Sequence, residues 1–173
     1  MALDTDVVWP DYLEKMDYEL KLVAVVGKRG CDINVEETDQ YSRIRSSTTS
    51  TRATRSSARW RRTSVRQGKN FANGLGPYLT TADALDVSEV EMTARVNSDS
   101  WSEGIPGTMH HTFTNIVAHV STSEIIYPGE VIGSGIVDRG CGLELGELLS
   151  DGDTVELKIE GIRTLRHRIV RSA

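Results

Sequence analysis

The chain has 173 residues, 38% of them hydrophobic and only 6% aromatic, which suits one ordinary domain. No apolar run approaches the ~20 residues of a bilayer span, the N-terminus Met1-Ala2-Leu3-Asp4 lacks the basic and apolar regions of a leader, and two cysteines, Cys31 and Cys141, are too few for a disulfide scaffold or zinc ribbon. The net charge of −5 is uneven: eight of the 20 basic residues are Arg within 42–66, which holds no acid, so the rest carries 12 basic against 25 acidic residues, a surface that repels nucleic acid and anionic membranes and fits a cytoplasmic chain.

The first patterned piece spans 7–41. Glu19-Leu20-Lys21-Leu22-Val23-Ala24-Val25-Val26 begins with alternation and becomes continuously apolar, which predicts a strand entering a core. Gly27-Lys28-Arg29-Gly30 reads as a turn, and Val35-Glu36-Glu37-Thr38-Asp39 as one helical turn. Residues 42–66 are almost wholly Ser, Thr and Arg. They show no apolar period, and the composition predicts a segment without regular structure.

Patterning returns over 67–170. Tyr78-Leu79-Thr80-Thr81 and the run 91–96 read as short strands, with turn chemistry in Asn97-Ser98-Asp99. Phe113, Ile116, Val117 and Val120 recur at i, i+3, i+4 and i+7, the mark of an amphipathic helix. Tyr127-Pro128-Gly129-Glu130 turns into a strand at Val131-Ile132, and Ser134, Gly135, Gly140 and Gly142 mark a glycine-rich loop. Val155, Leu157 and Ile159 alternate, and Gly161-Ile162 turns that strand back into 165–170, a terminal hairpin with one wet face. Strands dominate, with one good helix. The expected class is β-rich α+β, a single domain over 1–173.

Several segments together resemble the fumarylacetoacetate hydrolase family. They are Asp17-Tyr18-Glu19-Leu20-Lys21-Leu22 with Val25-Val26-Gly27; Gly68-Lys69-Asn70-Phe71-Ala72-Asn73 with Gly76-Pro77-Tyr78-Leu79; Tyr127 through Gly135; and Asp151-Gly152-Asp153-Thr154-Val155-Glu156 with Ile159-Glu160-Gly161-Ile162-Arg163-Thr164-Leu165. They occur in the family's order over most of the chain. The resemblance implies a mixed β-sheet roll of the C-terminal catalytic domain type, forming a homodimer. It implies a hydrolase, isomerase or decarboxylase acting on acidic β-diketo or keto-enol compounds of aromatic catabolism. It also implies Mg²⁺ (or Mn²⁺ or Ca²⁺) held by three carboxylates, two from a Glu-x-Glu strand and one from an Asn-Asp-x-Ser-Ala-Arg-Asp segment. An oxygen-only set suits such hard ions, and positive charge beside a forming enolate lowers its energy.

Carried onto this sequence, the resemblance makes Glu19 the surviving metal ligand, with Lys21 at the second position. Spacing of i, i+2 on a strand aims both side chains at one face, and an ammonium cannot ligate a cation. On the residues alone, Lys21 pointing to solvent beside an ordinary strand carboxylate is the alternative. Lys69 matches a substrate-facing Lys that would hold a carboxylate or enolate oxygen; an exposed loop Lys is the other reading. Gly135 offers backbone N–H approach to a substrate, or only a tight turn, and Ile136 stands where the family has a Thr. No catalytic base is evident. His110, His111 and His119 read as surface or packing residues, His167 as solvated, and Cys141 as a small buried hydrophobe.

The Asp-bearing segment is replaced by the Ser/Thr/Arg stretch. Codon degeneracy permits Thr48-Thr49-Ser50-Thr51-Arg52-Ala53-Thr54, taken one base out of frame in a GC-rich gene, to be read Asn-Asp-Phe-x-Ala-Arg-Asp. This is a hypothesis of a frame-disrupted, truncated member lacking the lid of longer relatives, and the DNA over codons 41 to 67 decides it. Two further readings stand beside the enzyme: a catalytically inactive remnant with an incomplete metal site, and nucleic-acid binding through the eight arginines, which the acidic remainder disfavours.

Overall fold

The computed structural model describes residues 4–11, 13–41, 44–54 (backbone), 72–76, 78–81 and 83–171. In chain order its strands and helices are β1 (Thr5–Trp9), β2 (Lys15–Val25), β3 (Ile44–Thr54), β4 (Asn73–Leu75), β5 (Thr80–Thr81), β6 (Met92–Val96), β7 (Asp99–Gly104), α1 (Phe113–Val120), β8 (Val131–Gly133), α2 (Gly142–Leu145), β9 (Thr154–Ile159) and β10 (Arg163–Arg171).

Among the described residues two five-stranded sheets form. One has the order β1-β10-β9-β6-β7, and β1 runs parallel to β10 while its other pairs are antiparallel. The other has the order β4-β3-β2-β8, with β5 also paired to β3. The mixed, strand-rich α+β class expected from the sequence is the one found. The alternation read at the C-terminus explains the first sheet: Val155, Leu157 and Ile159 are buried on one face, with Leu165, His167 and Ile169 on the returning strand. Asn97 and Ser98 both adopt left-handed backbone (φ 52° and 77°), the two-residue loop that matches strand twist. The Asn97 side chain donates to Asp153 Oδ1 at 2.8 Å and accepts from Thr154 N at 3.0 Å, tying that hairpin to β9.

The core lies between the sheets. Met16, Tyr18, Leu20 and Leu22 of β2 share one buried cluster with Met92 and Ala94 of β6, Leu157 and Ile159 of β9, and Ile169 of β10. Full burial of such side chains contributes ~1.5–3 kcal/mol each. A smaller cluster, Val26, Ile33, Val117 and Ile126, seats α1 against the 3-10 turn Val35–Gln40. Thr112 caps α1, its hydroxyl accepting from Asn115 N at 3.3 Å. The helical spacing holds with a narrower apolar stripe than expected: Phe113 and Val117 are buried, Val120 is exposed.

Three expectations are corrected. The segment 42–66 is not without regular structure throughout: Ile44–Thr54 forms β3, paired with β2 over its whole length. β2 is buried along most of its length and its backbone groups need a partner; a Thr-rich neighbour has the β-propensity to supply one. The remainder of 42–66 lies outside the described residues. Of the strand read over 78–81, only Thr80 and Thr81 find ladder partners, in Arg45 and Ile44. His167 is buried, not solvated, because β1 lies along β10 and His167 pairs with Thr5.

Candidate functional site

β2 is buried on both faces, and its alternation divides the work. Met16, Tyr18, Leu20 and Leu22 enter the core, so Asp17, Glu19 and Lys21 share the opposite face. Two carboxylates at 0% exposure on one strand face are costly unless paired, and the neighbouring segment 133–142 supplies much of the pairing.

That segment runs along the edge of β2. Ser134 N donates to Leu22 O at 2.9 Å, Leu22 N donates to Ser134 Oγ at 3.2 Å, and Leu20 N donates to Gly140 O at 2.8 Å. A bridge joins Glu19 to Cys141. Asp17 accepts from Tyr18 N, from Gly142 N at 2.7 Å and from Leu143 N at 3.0 Å, which fixes the turn into α2. Gly142 is required there, since a Cβ would stand 2.5 Å from Glu147 O and 2.7 Å from Asp17 Oδ1. On the core side, the Ser102 hydroxyl donates to Arg139 O at 2.7 Å, which leaves its oxygen to accept from the Tyr18 hydroxyl at 2.5 Å. Burial pushes the Tyr18 phenol up to about 12.

At the centre, Lys21 Nζ donates to Glu19 Oε2 at 2.5 Å. Lys21 keeps 16% side-chain exposure, so the ammonium is the end of the pair nearer solvent. Lys21 therefore does not simply point away, as the residue-level alternative had it. Gly135 follows Ser134 directly. It has φ +86°, and nothing lies within 4 Å of where a Cβ would stand. The structure thus brings Glu19, Lys21 and the loop carrying Gly135 to one region of β2. Lys69, the other expected substrate contact, lies outside the described residues.

The expected divalent cation does not fit this arrangement. Glu19 already holds a cation of its own chain, and among the described residues no three of His, Cys, Asp and Glu stand together as a metal site. The register sets Thr48 across from Lys21, Thr49 across from Leu20 and Ser50 across from Glu19. Thr49, which the out-of-frame reading makes Asp, thus pairs between the partners of Glu19 and Lys21.

Other candidates sit elsewhere. His110 and His111 are exposed and meet edge to face, and His119 is exposed on α1. Burial raises the Cys141 thiol, as expected of a small buried hydrophobe rather than a nucleophile. An open groove of ≈ 310 Å³ lies over the outer face of the first sheet, lined by Glu91, Arg95, Glu103, Glu156 and Lys158 among others. It contains none of the β2 site. Asp17 and Ser134 received no role from the sequence. The sign for Asp17 was a second acidic residue on a strand otherwise bound for the core.

The family profile described as fumarylacetoacetate (FAA) hydrolase C-terminal matches residues 1–170. Human mitochondrial oxaloacetate tautomerase FAHD2A is 28% identical over 172 residues, covering 95% of this chain and 54% of that protein. The chain spans about half the length of the first curated relatives it matches. Among solved structures, the fumarylacetoacetate hydrolase of psychrophilic Exiguobacterium antarcticum superposes with a TM-score of 0.89 at 25% identity, over 99% of this chain and 62% of that one. Fumarylpyruvate hydrolase of Pseudomonas aeruginosa, solved with Mn²⁺ and pyruvate, gives 0.86 at 20% identity, over 99% and 74%.

Proposed function

The chain belongs to the fumarylacetoacetate hydrolase family, and from that membership we propose that it takes small acidic β-diketo or keto-enol compounds at the Glu19–Lys21 face of β2, for hydrolysis or isomerisation. The observation that carries this is the placement of a charged pair, Glu19 and Lys21, beside the open left-handed turn at Gly135. The Lys21 ammonium holds a carboxylate or enolate oxygen, and the Gly135 turn lets a ligand approach the backbone. A tautomerase of keto acids and a hydrolase crystallised with pyruvate among the similar proteins support an acidic keto compound as the ligand class. Metal use in the family is supported by that hydrolase's Mn²⁺; no step through a metal is derived for this chain. A role in aromatic catabolism and a homodimer, with Lys69 as a further substrate contact, belong to the same reading.

A second reading is favoured by the Lys21–Glu19 bond itself: a member of the family that binds such compounds and does not turn them over. One experiment separates the two. The intact chain is incubated with an acylpyruvate and with oxaloacetate, loss of the enol absorbance is followed, and binding is read by ligand-observed NMR. Binding with turnover is the expected result. Binding alone selects the second reading, and no binding overturns both.

A further inference from the structure

We infer that Lys21 is an internal cation standing where a divalent ion would sit on Glu19, so that the Glu19 carboxylate is paired without metal. The inference takes its location from the proposed function, and its readout involves no substrate.

The geometry is direct. The Lys21 ammonium lies 2.5 Å from Glu19 Oε2. Hard divalent ions approach carboxylate oxygen at ~2.0–2.6 Å, so an ion on that oxygen would stand in near contact with a like charge. An ammonium has three donors and no lone pair, so it cannot become a ligand by turning. Glu19 is fully buried, and displacing its partner would leave a buried charge to be compensated afresh. A free ion therefore competes with a tethered cation two residues away on the same strand face. Lys21 offsets the charge of Glu19, and the second buried carboxylate of this face, Asp17, is already held by the amides of Tyr18, Gly142 and Leu143. The Glu-x-Lys order gives Glu19 its cation from within the same strand.

The test uses Mn²⁺ and the intact chain, with free Mn²⁺ followed by electron paramagnetic resonance. The wild-type chain is expected to leave the free-ion signal undiminished. Lys21→Glu, which places a second carboxylate on the same face, is expected to bind at least about tenfold more tightly. Stoichiometric Mn²⁺ binding by wild type that Glu19→Gln abolishes would overturn the inference. Equal affinity of wild type and Lys21→Glu would overturn it too. Should Lys21→Glu not fold, the wild-type Lys21 ¹⁵Nζ resonance decides: it is expected to stay fixed under a large excess of Mg²⁺, and its movement would contradict the inference. Failure to bind keto acids would remove the proposed function and leave the Mn²⁺ titration readable. Mn²⁺ at wild-type Glu19 would overturn only the present inference.

Discussion

Asp17 and Gly142 are 125 residues apart in sequence and joined by a 2.7 Å hydrogen bond, from the Gly142 amide to a carboxylate with no solvent exposure. This bond, with its partner from Leu143 N, fastens the glycine-rich segment to β2 one side-chain step from Glu19. The position of the candidate site is thus set by a buried carboxylate that takes no part in the proposed chemistry.

Asp17→Ala is expected to destabilise the fold by ~3 kcal/mol, because three amides lose their acceptor. Gly142→Ala is expected to cost ~2 kcal/mol, since the added Cβ meets backbone and the Asp17 carboxylate. Urea unfolding midpoints of the two variants check both values.

His167 gives the fold an acid-sensitive point. Burial chiefly holds its pKa below the ordinary 6.5, against a backbone hydrogen bond at Thr5 that raises it. Nδ1 lies 3.0 Å from Thr5 O, while Nε2 is buried with no hydrogen-bond partner among the described residues. With the folded pKa depressed, the unfolded chain takes up the proton first. Stability is then complete above pH ~6.5 and falls as the pH drops through the folded value. His167→Leu is expected to flatten this acid limb. Unfolding midpoints at pH ~5 and ~8 read the difference.

Gly135 tests the loop. Its φ of +86° disfavours any side chain, while the space around its Cβ position is open. Gly135→Ala is therefore expected to cost only ~1 kcal/mol, from conformation and not from a clash. It is expected to weaken acylpyruvate binding by more than that stability loss accounts for. Calorimetric titration alongside thermal unfolding checks the two effects separately.

Much of the fold was legible because its strands carry plain periods. The β9–β10 hairpin, the Asn97-Ser98 turn, α1 and β2 all follow from spacing of apolar residues and from turn chemistry. β3 was not legible, since its Ser/Thr/Arg composition has no apolar alternation and its order comes from pairing with β2. The burial of His167 is not legible in its own strand, because it depends on β1, whose contact with β10 spans the length of the chain. At the site, Glu19 and Gly135 stood out through family resemblance. The Lys21–Glu19 bond needed the structure, as i, i+2 spacing places two side chains on one face without saying whether they touch. The role of Asp17 has no local signal, because it depends on a loop more than a hundred residues away.

The most direct test is a ¹⁵N–¹H correlation titration of the intact chain with oxaloacetate, resolved residue by residue. The predicted result is saturable movement of the Lys21, Ser134 and Gly135 amides. Movement confined to the groove over Glu91, Arg95 and Lys158, with those three amides fixed, would contradict a ligand site on this face of β2.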